Sequence, residues 1–308
     1  MTITRRPDNG VLTNSRPARP RELQDSLNHF VYHPLAWRLA RALAKTPLTP
    51  NMVSVIGGGC VVAAAVAYAQ PGWPAWALIG FAFHLLWHVV DGADGDLARM
   101  TGRSSPFGEM VDGVCDYASH VVLYLVLGYL LSRGMAPDWA RPWSEGWAGW
   151  AWMWVAAINH IVQANHVEVQ RRQYQWWVYG TSWIRLNHKA GSATRRSVFG
   201  AFVSFYLTMA SGMTPHALKI DKAVGDAAND PARLEAIRSA ARREAAPLLR
   251  ICTFLGPNPR TIALGFSMLA GSPLWYFAYQ SVVQNLLLIG SVVAHNAADK
   301  RITAQIEA

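Results

Sequence analysis

Long apolar stretches separated by short polar links dominate the chain. Runs at Met52–Ala69, Pro74–Ala98, Phe107–Leu131, Trp147–Val167 and Leu274–His295 each approach the roughly 20 mostly apolar residues that a helix needs to cross a bilayer core. A further run, Thr261–Leu269, is short and meets a Gly271-Ser272-Pro273 break; it spans only if Pro257–Arg260 also enters the bilayer. Val198–Met213 is apolar but short as well. Ahead of the first run, Leu23, Leu27, Phe30, Val31, Leu35, Leu39 and Leu43 recur at helical spacing, with Arg38, Arg41 and Lys45 on another face. This pattern suits a helix in the headgroup plane over 21–46, and a soluble amphipathic helix packed on the rest of the protein is the alternative. The expected fold is all-α, a polytopic membrane helix bundle of about six transmembrane helices with an N-terminal interfacial amphipathic helix. No repeat or low-complexity tract stands out.

Composition agrees with a membrane setting. Of 308 residues, 52% are hydrophobic and 15% charged, where soluble domains carry about 25% charged residues. Tryptophans Trp73, Trp76, Trp143 and Trp147 sit at the ends of apolar runs, the depth that amphipathic rings favour. The net charge of +9 comes from basic residues flanking apolar spans, which points to anionic lipid rather than nucleic acid. Cys60, Cys115 and Cys252 are far apart and form no CxxC, a spacing that argues against a disulfide framework or a zinc site. Residues 1–20 are polar and rich in Arg and Pro without an apolar core, so they read as a disordered cytoplasmic tail and not a signal peptide.

Four aspartates stand out because they lie beside spans. Asp91 and Asp94 are three residues apart, Asp112 and Asp116 four apart, so on helices each pair shares a face. Only a short connection, Thr101–Phe107, separates the two runs, which makes them antiparallel neighbours whose carboxylates face one another. A charged side chain at membrane depth costs about 2.5–3.5 kcal/mol on insertion scales, and a divalent cation is the counter-charge such a cluster needs. Oxygen-only ligands suit magnesium, calcium or manganese. Gly95, Ala98 and Gly108 leave room for a ligand to approach the backbone, and Arg99 is placed to pair with a phosphate or an aspartate. Asp96 lies off the Asp91/Asp94 face and reads as a solvated charge at a helix end.

These residues fit D-x-x-D-G-x-x-A-R-x8-G-x-x-x-D-x-x-x-D at every position: Asp91, Asp94, Gly95, Ala98, Arg99, Gly108, Asp112 and Asp116. The pattern resembles the signature of the class I CDP-alcohol phosphotransferase (CDP-alcohol phosphatidyltransferase) family. The resemblance covers the motif closely and the layout from Thr49 to Asn296 more loosely. It implies a membrane transferase of phospholipid biosynthesis in which an acceptor hydroxyl attacks the β-phosphate of a CDP-linked donor and CMP leaves. By the same resemblance Asp91, Asp94, Asp112 and Asp116 would hold two Mg2+ (or Mn2+) ions, with Asp116 also the general base. Gly95, Ala98, Arg99 and Gly108 would line the cytidine and phosphate pocket, and the protein would be a homodimer. The membrane domain would run over 47–308, with an insertion at about 170–257.

Other polar residues carry two readings each. Asn159, Gln163 and His166 form one stripe on the fourth run, either lining the acceptor pocket or making inter-helix hydrogen bonds. His84 and His88 read as helix contacts more readily than as metal ligands. His120, four residues after Asp116, either orients that aspartate or packs. The basic residues Arg171, Arg172, Arg185, Lys189, Arg195 and Arg196 read as cytoplasmic surface before they read as an anion site. An intramembrane prenyltransferase would also use aspartates and magnesium, but in two separated sets, and a cation transporter would need an ion path through the midplane.

Charge bias sets the topology. With both termini inside, only Arg133 and Arg141 among the 28 basic residues fall outside, as the positive-inside rule requires. The membrane would be a bacterial inner membrane with the aspartates facing the cytoplasm. If Val198–Met213 also spanned, Lys219, Lys222, Arg233, Arg238, Arg242, Arg243, Arg250 and Arg260 would all lie on the wrong side, so that run reads as interfacial. A topology reporter fused after Lys222 is therefore expected to score as cytoplasmic; a periplasmic score would overturn both the orientation and the cytoplasmic placement of 170–257.

Overall fold

The computed structural model describes residues 20–181 and 215–307. The tail over 1–19, the run Val198–Met213 and the basic residues Arg185, Lys189, Arg195 and Arg196 lie outside the described residues. The chain is all-α, with no strand among the described residues, and divides into two compact units. One contains Ser26–Leu130 and the other combines Arg21–Asp25 with Leu131–Ala308.

In the first unit, helix α1 (His33–Leu43) follows a π-helical turn at Asn28–Tyr32. Then come α2 (Pro50–Tyr68), α3 (Ala75–Met100) and α4 (Pro106–Ser132). Local chemistry sets the ends. Thr49 caps α2 by accepting from the Met52 amide at 3.3 Å, with Pro50 in the first turn where its missing N–H costs nothing. Helix α3 ends in a Schellman arrangement: Gly102 takes φ 66° and the Arg103 amide reaches back to the Ala98 carbonyl at 2.8 Å. Ser105 then accepts from the Gly108 amide at 3.0 Å to open α4. The tight connection brings α4 back along α3. Helix α2 closes on both neighbours through small residues. A Cβ on Gly58 would stand 3.3 Å from the Cys115 carbonyl oxygen of α4, and one on Gly80 would stand 2.6 Å from the Tyr68 ring, so side chains there would force the helices apart. Helix α1 buries Ala36, Trp37 and Ala40 against α3, with Gly92 close to Ala36. Phe30 and Val31 of the preceding π turn and Leu35 of α1 remain exposed.

Helices Pro50–Tyr68, Ala75–Met100, Phe107–Ser132 and Leu274–Glu307 are long and apolar enough to cross a membrane. Their outward residues, such as Val55, Ile56, Leu78, Ile79, Val121, Leu125, Leu286 and Ile289, are exposed apolar side chains that a lipid phase would cover. The other two expected spans do not reach this standard. Helix α5 (Trp147–Tyr179) carries tryptophans and buried Gln163, Asn165 and His166 within its apolar run, and the run Thr261–Leu269 belongs to a helix of only 13 residues.

The second unit holds α5 and then α6 (Ala217–Asp226), α7 (Pro231–Glu244), α8 (Leu249–Phe254), α9 (Pro257–Leu269), α10 (Leu274–Ala278) and α11 (Gln284–Glu307). A π turn at Tyr279–Val283 joins α10 to α11. Helix α5 continues well past Val167 and stops at Gly180, which adopts the left-handed φ of 71°. Its last turns, with α6, α7 and the end of α11, enclose a core containing Tyr174, Trp177, Ile220, Ile237, Ala241 and Ile302. Within it the buried Trp177 indole N–H donates to Asp221 Oδ1 at 2.7 Å. Asp230 caps α7 by accepting from the Arg233 amide at 3.0 Å. The described part of 170–257 is thus a small helical core built on extensions of flanking helices.

The same unit corrects the expected helix over Glu22–Lys45. Residues 21–23 form a separate 3-10 turn because their side chains are held elsewhere. Tyr174 and Tyr179 donate hydroxyls to Glu22, and Asn258 donates to Asp25 at 2.6 Å. Ile220, fully buried in the α6 core, offers a test of that core: Ile220→Ala is expected to cost about 2–5 kcal/mol, read as a lowered Tm of the detergent-solubilised protein. No change would mean the core contributes little to stability.

Candidate active site on two apolar helices

Helices α3 and α4 carry the aspartates, and the turn between them sets their register. The carboxyl groups of Asp91 and Asp116 lie against one another, as do those of Asp94 and Asp112. One pair ascends α3 while its partners descend α4, the signature of antiparallel neighbours. Carboxylate oxygens of Asp91, Asp94 and Asp112 lie within 4.8 Å of one another. Asp116 stands beside them through Asp91 but is not in that tightest group. Asp94 is buried and the other three are half-buried. Such a gathering of acceptors has no internal neutralisation: two carboxylates in contact repel unless a proton or a cation lies between them. The donor set consists only of carboxylate oxygens, which fits a hard divalent cation and not a soft one.

Two side chains that the sequence reading did not single out hold the carboxylates in place. Ser54 Oγ on α2 lies 2.5 Å from Asp94 Oδ2 and 3.3 Å from the Pro50 carbonyl. The hydroxyl has one proton, so the closer and charged acceptor takes it. Trp87 Nε1 donates to Asp116 Oδ1 at 2.9 Å. Trp87 precedes Asp91 by four residues on α3, a helical-face relation visible in the sequence. Ser54 comes from another helix and carries no comparable signal.

The expectation for Asp96 is corrected. It is 2% exposed rather than solvated, and the Arg99 guanidinium contacts its Oδ1 at 2.5 Å. Position i, i+3 on the last turns of α3 lets the long arginine side chain cover the carboxylate while about half of it stays in solvent. Beside this pair, a Cβ on Gly95 would find its nearest neighbour, the Arg99 guanidinium, at 3.5 Å, which is ordinary contact. The packing of the described residues does not by itself demand glycine there. On Gly108 an added Cβ would meet Ser105 Oγ at 3.3 Å and Asn51 Oδ1 at 3.4 Å. Ala98 lies half-buried one residue before Arg99.

The remaining polar candidates fall elsewhere. His120 directs Nδ1 at the Asp116 backbone carbonyl, 2.8 Å away, and not at its carboxylate. His84 and His88 join an aromatic group with Trp87, Tyr32 and His120, in which the Tyr32 and His88 rings stack at 4.8 Å. In the second unit, Gln163 donates to the Gln280 carbonyl at 3.0 Å and to Asn285 Oδ1 at 2.7 Å, and accepts from Arg260 at 3.3 Å. Gln163 of the stripe on α5 therefore makes inter-helix hydrogen bonds. Removal of the Ser54 hydroxyl tests the support of the carboxylates. Ser54→Ala is expected to destabilise the protein by about 1.5–3 kcal/mol, the scale of a hydrogen bond to a charged group. The measurement is thermal denaturation in detergent, and an unchanged Tm would remove Ser54 from the framework.

The sequence also compares with known proteins. The profile of the CDP-alcohol phosphatidyltransferase family matches residues 47–217, more than half of the chain. Cholinephosphotransferase 1 of Gallus gallus is 36% identical over 100 residues, covering 30% of this chain and 30% of that protein. Phosphatidylinositol phosphate synthase of Mycolicibacterium smegmatis is 31% identical over 109 residues, 35% of this chain and 48% of that one. An uncharacterised CDP-alcohol phosphatidyltransferase class-I family protein of Schizosaccharomyces pombe is 30% identical over 94 residues, 28% and 24% of the two chains. The matched part spans about a quarter to a half of the length of these relatives. With the family profile running through α2, α3 and α4, where the aspartates converge, the chain belongs to the CDP-alcohol phosphatidyltransferase family.

Proposed function

We propose that this protein transfers a phospho-alcohol group, phosphatidyl in the first instance, from a CDP-linked donor to an acceptor hydroxyl in phospholipid biosynthesis. The observation that carries the reading is the convergence of Asp91, Asp94 and Asp112 within 4.8 Å, inside the residues that the family profile matches. Family membership also favours transfer over prenyl chemistry or cation transport.

Asp91, Asp94, Asp112 and Asp116 would hold Mg2+ or Mn2+, two ions as the family resemblance implies. Bound there, the metal supplies charge neutralisation for the pyrophosphate and for the departing CMP. The chain's own groups do the rest. Gly95, Ala98 and Gly108 leave the backbone open to the nucleotide, and the half-exposed Arg99, steadied by Asp96, faces the phosphates. Asp116, fixed by the Trp87 N–H, takes the acceptor proton. The acceptor oxygen then forms a bond to the β-phosphorus, the phosphorus bond to the CMP oxygen breaks, and its electron pair leaves on CMP. The site faces the cytoplasm of a bacterial inner membrane, as the charge asymmetry supports, and the protein works as a homodimer among membrane lipids. Glycerol phosphate, inositol or its phosphate, serine, choline and a lipid alcohol are the acceptors to test.

CMP release across these acceptors, with magnesium and a CDP-linked donor, tests the reading together with four variants. Asp91→Asn, Asp94→Asn and Asp112→Asn should each abolish transfer while the protein still inserts. Asp116→Asn should lower turnover by about 10²–10⁴-fold with donor affinity much less affected than in Asp112→Asn. Equal loss of donor binding in the two variants would make Asp116 chiefly a metal ligand and move the base elsewhere, with His120 the next residue to test. Metal-independent CMP release, or none with any acceptor, would overturn the function.

A further inference from the structure

Three buried side chains in the second unit, distant in sequence, form a cluster with a different chemistry. His166 of α5, Cys252 of α8 and His295 of α11 each bring one donor atom within 4.8 Å of the other two, and all three are at most 2% exposed. Cys252 Sγ lies 4.0 Å from His295 Nε2, and the two imidazoles meet edge to face at 5.6 Å.

The hydrogen bonds around them orient the rings. His295 Nδ1 lies 2.8 Å from the Ser291 carbonyl, an acceptor only, so Nδ1 carries the proton and Nε2 presents its lone pair towards Cys252. His166 Nε2 lies 2.9 Å from Ser291 Oγ, while His166 Nδ1 is buried without a hydrogen-bond partner. Leaving a polar nitrogen bare in a closed site costs about 1–3 kcal/mol. His295 has the arrangement of a metal-binding imidazole, with Nδ1 anchored to a carbonyl and Nε2 free to ligate, and His166 likewise has one nitrogen on a hydroxyl and the other without a hydrogen-bond partner. Here a single residue, Ser291, anchors both rings.

We infer that His166, Cys252 and His295 form a binding site for a zinc-type transition-metal cation, separate in ligands and chemistry from the aspartate cluster. One thiolate and two imidazoles suit a borderline-soft ion and are poor ligands for magnesium. Ligand bonds of about 2.0–2.3 Å in a tetrahedron imply sulfur-to-nitrogen edges of roughly 3.6 Å, so the Cys252–His295 separation needs to close only slightly. Three protein ligands leave one position for water, and the bound ion would tie α5, α8 and α11 together. The wide spacing of the cysteines argued against a zinc site only as a local motif; these ligands come from three helices.

The test uses the full chain, purified in detergent without a histidine tag, stripped with chelator and kept in excess magnesium so that the carboxylates are occupied. Titration with cobalt(II) should give a thiolate-to-cobalt charge-transfer band, and zinc should displace it with one ion retained per chain and a raised Tm. Cys252→Ser should abolish the band, and Ser291→Ala should weaken binding by about 10–100-fold. Asp91→Asn should leave the band intact. Absence of the band in the folded wild-type protein overturns the inference whatever the variants do, and so does its persistence in Cys252→Ser. Neither readout depends on transfer activity.

Discussion

Concentrating four carboxylates at the ends of two apolar helices is the constraint around which the first unit is organised. Each charge placed at membrane depth costs about 2.5–3.5 kcal/mol, and contact between them adds repulsion. The fold gives this cost a defined geometry. The turn after Met100 makes α3 and α4 antiparallel, so the aspartates meet in pairs rather than scattering along two faces. Helix α2 comes close enough, through Gly58 against the Cys115 carbonyl, for Ser54 to reach Asp94. Trp87 does the same for Asp116 from within α3. These are the contacts that make carboxylate positions reproducible, without which a cation would meet a mobile group of charges.

The second unit solves a different problem. Its helices carry many buried polar groups and bind to one another through them: Gln163 to Gln280 and Asn285, Arg260 to Gln163, Gln284 to the Phe254 carbonyl. In an apolar surrounding, satisfied amides hold helices in one register, because any slip leaves them unpaired. Beyond this polar seam the same helices run on into the core around Trp177, where alanines and isoleucines of α6 and α7 pack in the manner of a soluble domain. One helix, α5, thus serves two kinds of packing along its length.

The strongly periodic and strongly local features were readable in the sequence. Helices α2, α3 and α4 fall within a few residues of their apolar runs, because length, hydropathy and flanking caps act together there. The pairing of Asp91 with Asp94 and of Asp112 with Asp116 on common faces follows from helix periodicity alone. What failed to show was cross-chain in origin. The break before Ser26 depends on Glu22 meeting Tyr174 and Tyr179, and no pattern within 21–46 encodes it. The Ser54 contact with Asp94 joins residues 40 apart. The cluster of His166, Cys252 and His295 is likewise invisible to any rule based on spacing. Helix α5 is not among the four that reach the span standard: Gln163, Asn165 and His166 are buried within its apolar run, and a count of apolar residues gives no weight to them.

Asp96 shows why an off-face residue is not by default a solvated one. It is two residues beyond Asp94, so helix periodicity turns it away from the cluster, yet neighbouring packing and the side chain of Arg99 enclose it. The enclosure has a consequence for the proposed chemistry. A free arginine at a helix end loses rotamer freedom when it binds a phosphate, a cost of about 0.5–1.5 kcal/mol for an immobilised side chain. The contact with Asp96 already restricts Arg99 while leaving about half of it open to solvent. Lysine could neither share its charge between a buried carboxylate and a phosphate through a planar fork nor hold that orientation. The arginine in the motif is thus matched to the aspartate beside it, and under the proposed function Asp96 would position Arg99 for the phosphates.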